Sequence, residues 1–114
     1  MGDSPPPFVQ AGLSRRDLAG PVPILALWND PQLLIKFDQP IFNWPLEPGN
    51  WGARIGNQWH LTTEAIVLGD QVICLMAPDE SDPGPNVVYY LAFPPDVQSL
   101  ARVPAAPFEN FPIA

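Results

Sequence analysis

Positive charge is scarce in this chain: five Lys and Arg stand against twelve Asp and Glu, for a net charge of −7. Nucleic-acid binding relies on clustered cations that displace the counterions of phosphates. Lys36, Arg54 and Arg102 stand singly and Arg15-Arg16 is the one basic pair, so neither a nucleic acid nor an anionic membrane surface is an expected partner. Cysteine is nearly missing as well. Cys74 alone excludes an intramolecular disulfide and any multi-cysteine metal site, and its place within Val72-Ile-Cys-Leu-Met reads as a small buried apolar residue. The single histidine, His60, has no second histidine or cysteine pair to join it in a zinc site. Apolar runs end at about eight residues, far short of the roughly 20 needed to span a bilayer as a helix. Met1-Gly-Asp-Ser-Pro-Pro-Pro lacks the basic and apolar regions of a secretory signal, so the chain is expected to stay in the cell that makes it or to leave by another route.

Catalytic signatures are missing too. Ser4, Ser14, Ser81 and Ser99 have no nucleophile-elbow context, with His60 the only partner on offer. No glycine-rich phosphate loop appears, and twelve acids supply many accidental carboxylate pairs without singling one out. Asp79, Glu80 and Asp82 lack the full ligand ladder of a calcium loop and read as a solvated acidic loop. No enzyme, metal or cofactor is expected.

What the chain has in excess is proline: seventeen residues, where about six would be ordinary. Proline cannot serve in central strands or helix interiors, so it must gather in arms, edges and connections. Hydrophobic residues make up 46% of the 114, enough for one domain with a sizeable core.

The stretch Trp51–Ala77 organises that domain. Gly56-Asn57 and Gly69-Asp70 each sit between β-rich runs, and glycine supplies the positive φ a two-residue hairpin requires. A two-residue turn at Gly56 sets Ile55 opposite Gln58 and Arg54 opposite Trp59. It also splits apolar residues between both faces, which leaves the register open. In the second hairpin Ala65, Val67, Val72, Cys74 and Met76 share one face, and Ile66, Leu68, Ile73 and Leu75 the other. A hairpin apolar on both faces should be central or covered.

Around these strands the sequence predicts a strand over 21–28, a turn at Asn29-Asp30-Pro31, and a strand over 32–38. A proline-rich connection over 39–49 is expected to hold one helical turn, with Ile41, Phe42 and Leu46 plugging one end of the core. Strands over 86–93 and 107–113 follow. The expected architecture is all-β, an Ig-like antiparallel sandwich of seven or eight short strands over residues 22–114. Residues 1–21 read as an extended proline-rich arm, with Pro5-Pro6-Pro7 favouring polyproline II.

Leu34-Ile-Lys-Phe-Asp-Gln-Pro-Ile, the variable connection, Trp51 to Ile55, the hairpin over 65–77, Val87 to Phe93 and Pro107-Phe-Glu-Asn-Phe-Pro-Ile come in a familiar order. The chain resembles bacterial Ig-like repeats of large cell-surface motility and adhesion proteins (SwmB-type). Those repeats run as a strand ending in F-s-x-p-l, a variable segment, a hairpin, a Y-x-v-x-y strand and a final a-x-F-x-n-x-x-v. The resemblance covers about residues 22–113 and implies an Ig-like β-sandwich without catalytic residues.

Two functional readings follow. In the first, the chain is a lone domain beginning at Met1 that docks on a larger protein assembly through its arm and one apolar sheet face. Its concrete form is a bacteriophage virion accessory protein, either capsid decoration or head/tail, with a homo-oligomer as another option. The arm anchors are Phe8, Val9, Leu13 and Leu18 with Arg15 and Arg16, against the plain alternative of a tail without partners. The second reading is a carbohydrate-binding or adhesion module of a larger extracellular or cell-surface protein. It draws on an aromatic platform of Trp51, Arg54, Trp59 and Tyr90, with Arg54 over Trp59, against the plain alternative that these rings pack in the core.

Overall fold

The structure is a computed structural model, and it describes residues 19–29, 31–55, 58–76 and 85–114. Alternating apolar residues build seven strands: β1 (Pro23–Asn29), β2 (Gln32–Phe37), β3 (Trp51–Ile55), β4 (Gln58–Leu68), β5 (Gln71–Met76), β6 (Pro85–Tyr90) and β7 (Phe108–Pro112). Each ladder is antiparallel, and the order is β1-β2-β5-β4-β3-β6-β7. Divided at β4, this is the arrangement of an immunoglobulin constant-type sandwich: strands one, two, five and four in one sheet, and three, six and seven in the other.

β4 belongs to both sheets. Its first residues pair with β3 as far as Gly52↔Leu61, and from Thr62↔Met76 onward it pairs with β5, with a bulge between Thr62 and Glu64. A bulge bends its strand and raises the local twist, which lets one strand turn the corner between layers. On the opposite side β1 and β7 come together, and the Ala114 N–H donates to the Ala26 carbonyl at 2.9 Å. The sandwich is therefore nearly closed into a barrel.

Period-two alternation decides which side chains enter the core. Ala26, Leu33, Ile35, Phe37, Ala65, Val67, Val72, Cys74 and Met76 face inward from the first sheet, and Trp51, Ala53, Val88 and Tyr90 from the second. Trp51 is fully buried and carries the aromatic packing, with ring centroids 4.6 Å from Tyr90, 6.5 Å from Phe37 and 6.3 Å from Phe108. A buried Trp on the third strand is a hallmark of this fold, where it ordinarily rests on an inter-sheet disulfide. Here Phe37 and Tyr90 take that place. On the outer side, Gly52 admits the Tyr89 ring against its backbone, and a Cβ there would collide with ring atoms.

The connections close the ends. Ile41 and Leu46 are buried beneath the proline-rich connection, and its helical turn is a 3₁₀ turn over Pro48–Asn50. Phe42 is half-buried. Asn50 has no exposed surface, and its side chain donates to the Phe93 carbonyl at 2.8 Å and accepts from the Phe93 N–H at 2.6 Å. Residues 19–21 also pack against the sandwich. Gly20 lies against the Pro104 carbonyl, Pro21 is buried, and the Gln39 amide donates to the Ala19 carbonyl at 3.0 Å.

The Tyr90 hydroxyl accepts the Val97 N–H at 2.8 Å in the interior. Burial pushes the phenol up to about 12, helped by the neighbouring Asp96 carboxylate, while the bond from Val97 pulls the other way. Folding therefore favours the neutral phenol. Its contribution to stability is constant up to the ordinary tyrosine value of about 10 and is lost between that value and about 12. Urea midpoints measured across this range should fall in the wild type, and Tyr90→Phe should flatten the fall.

Candidate functional site

The Gly69-Asp70 turn, with Gly69 at φ +65°, fixes Leu68 opposite Gln71. That register determines what the first sheet shows on its outer side. Cross-strand partners align Leu27, Leu34, Ile73 and Ile66 in one continuous row across β1, β2, β5 and β4. The row toward the Gly69 turn is Leu25, Lys36, Gln71 and Leu68, and the row on the other side is Asn29, Gln32, Leu75 and Glu64.

Leu27, Ile66 and Leu68 are 41%, 45% and 61% exposed, Leu25 is 38% exposed, and Leu34, Ile73 and Leu75 are half-buried. Single exposed aliphatics are ordinary on protein surfaces, whereas a contiguous apolar patch within a polar rim marks an interaction site. The rim is acidic. Glu64 is exposed at the β4 edge and Asp70 stands in the turn, with its carboxylate 3.8 Å from the Lys36 ammonium. Asp38 follows Lys36 at the end of β2, and its carboxylate accepts the Val22 N–H at 3.0 Å.

The expected aromatic platform is not assembled. Trp51 and Tyr90 have no exposed surface, because the alternation that orders β3 and β6 points both rings into the core. Arg54 is exposed, and its backbone pairs with Trp59 and Val87, which is the pairing of the two-residue turn. The Trp59 and His60 side chains lie outside the described residues, as do Phe8, Val9, Leu13, Arg15, Arg16 and Leu18 of the arm and Asp79, Glu80 and Asp82 of the acidic loop.

The cation–aromatic contact found here is a different one. The Arg102 guanidinium lies 3.9 Å from the Phe42 ring centre and 4.8 Å from that of Trp44, and its Nε donates to Gln98 at 2.7 Å. Trp44 is held by its own Nε1–H bond to the Asp96 carbonyl at 2.8 Å. Sequence reasoning missed this cluster because it joins two connections distant in the chain, with no periodicity linking them.

Cys74 points inward and burial pushes its thiol far up, with a weaker opposing pull from the Thr62 hydroxyl. That hydroxyl is itself buried and makes no hydrogen bond of good geometry among the described residues, so its hold on the thiol is slight. Among the described residues no group of His, Cys, Asp and Glu is arranged to hold a metal ion. An open apolar groove of about 550 Å³ runs along the β1–β7 seam, lined by Val22, Pro23, Pro104, Phe108 and Phe111. The face can bind by excluding water, with selection by its charged rim. Comparisons with protein-family models, with curated proteins and with solved structures each found no match.

Proposed function

We propose that this chain is a non-enzymatic docking module that seats on a larger protein assembly through the outer face of the first sheet. The observation that carries the reading is the row Leu27, Leu34, Ile73 and Ile66, an apolar band crossing all four strands on the outward side. The arm is the second contact, through Phe8, Val9, Leu13 and Leu18 with Arg15 and Arg16. The concrete form proposed is a bacteriophage virion accessory protein, in capsid decoration or at the head/tail junction, located in the virion. The immunoglobulin-type strand order supports kinship with SwmB-type Ig-like repeats as part of the same proposal. Virions reuse such sandwiches as add-on domains, which is an argument by analogy of fold.

Magnitudes favour two contacts over one. Fully burying an aliphatic side chain contributes about 1.5–3 kcal/mol, and the residues of this row are already partly covered by their neighbours. Their combined gain is on the order of 4 kcal/mol, comparable to what association costs in lost freedom. A tethered second contact raises the effective concentration of the first and makes occupancy stable.

The test is co-sedimentation with assembled particles of the system that encodes the chain. Wild type should pellet with particles, whereas Leu27→Asp/Ile66→Asp should remain soluble while unfolding within about 1 kcal/mol of wild type, since both side chains face outward. Absence of wild-type protein from particles would remove the virion setting. Co-sedimentation of the double variant would remove the face.

A further inference from the structure

We infer that the occupant of the outer face is a protein surface with an apolar centre and a cationic rim, and not a second copy of this chain. The inference rests on the docking reading and names the partner's chemistry. Four strands spaced about 4.8 Å apart and three rows of outward residues make a patch of roughly 400 Å². A specific interface covers about 800 Å² on each partner. Any stable partner must therefore reach past the aliphatic rows onto the rim, so the rim charges lie inside the footprint.

Among the described residues those charges are the carboxylates of Glu64 and Asp70 and the ammonium of Lys36, which already lies 3.8 Å from Asp70. A second copy laid face to face would bring this acidic rim against itself, on two chains that each carry −7. Like charges brought together within a footprint are rejected, and complementary ones set register and accelerate encounter. A rim of Lys or Arg around an apolar centre satisfies both parts of the surface.

The probes are two short designed amphipathic peptides of equal length, one Leu/Lys and one Leu/Glu, titrated into the ¹⁵N-labelled full chain. Leu/Lys should shift the amides of Leu27, Leu34, Ile66 and Ile73 and bind at least about tenfold more tightly than Leu/Glu. The preference should shrink between about 50 and about 500 mM salt. Glu64→Gln/Asp70→Asn should bring the two peptides to within about twofold of each other, and Leu27→Asp/Ile66→Asp should abolish the shifts on this face.

Equal binding of both peptides at the face would overturn the cationic rim and leave the docking reading standing. Leu/Lys shifts scattered over the domain and indifferent to Leu27→Asp/Ile66→Asp would show mere attraction to net charge, and would also overturn it. A dimer in sedimentation of the free chain, lost in the same double variant, would assign the face to a second copy. Silence from both peptides would count against the docking reading itself, and the inference would fall with it.

Discussion

Replacing Trp51 with Ala should cost the domain about 3–5 kcal/mol, a large share of the roughly 5–15 kcal/mol that holds a domain of this size together. The ring has no exposed surface and meets Tyr90, Phe37 and Phe108, from three different strands. Its removal leaves a cavity where the two sheets meet. Trp51→Phe should behave very differently. The Trp51 Nε1–H is buried and has no hydrogen-bond partner among the described residues, and an unsatisfied buried donor carries a penalty of about 1–3 kcal/mol. Phenylalanine sheds that penalty while losing part of the packing, so the net change should stay within about 1.5 kcal/mol. Urea unfolding of the two variants checks both numbers. A Phe variant as unstable as the Ala variant would mean that the indole nitrogen is satisfied.

The second large effect is expected at Asn50. Its side-chain amide satisfies both backbone groups of Phe93, and its own carbonyl accepts the Leu91 N–H at 3.0 Å. Asn50→Leu strands the Phe93 N–H and carbonyl beside an apolar side chain, at about 2–4 kcal/mol for the pair. Asn50→Asp retains the acceptor for the Phe93 N–H but sets a second carboxylate oxygen against the Phe93 carbonyl. Burial and that repulsion raise the new carboxyl's pKa, so the neutral acid is the form that folds. The deficit of Asn50→Asp should therefore shrink as the pH is lowered toward the ordinary carboxyl range and grow above it. Thermal melts of Asn50→Asp at several pH values test the sign, and a deficit that grows in acid would refute the placement of the amide.

These two positions show which parts of the architecture were legible in the chain. Turn glycines and period-two alternation are local signals. They placed the hairpin at Gly69 and grouped Ala65, Val67, Val72, Cys74 and Met76 on one face, which the structure turns inward. The register at Gly56-Asn57, left open by apolar residues on both faces, is settled by the pairing of Arg54 with Trp59 and Ile55 with Gln58. Boundaries moved by a few residues, as at the sixth strand, which ends at Tyr90 instead of Phe93. Asn50 gave no such signal, because an Asn after Pro-Gly looks like any turn residue until the segment it holds has folded over it. Trp51 and Tyr90 were ambiguous for a related reason. Both faces of the third strand carried large residues, and only the pairing with the sixth strand decides which side is interior. The outer apolar row was half visible, in Ile66 and Ile73. Leu27 and Leu34 joined it only once the strand order brought β1 and β2 alongside.

Because β4 runs through both sheets, the domain has no half that can melt alone. Anything bound to the outer face of the first sheet must therefore stabilise the second by the same free energy, as mass action requires for a cooperative two-state unit. With Trp28, Trp44 and Trp59 each replaced by Phe, the buried indole of Trp51, on the far layer, would serve as a remote optical reporter. Occupancy of a surface it never touches can be read from the denaturant concentration at which its fluorescence changes.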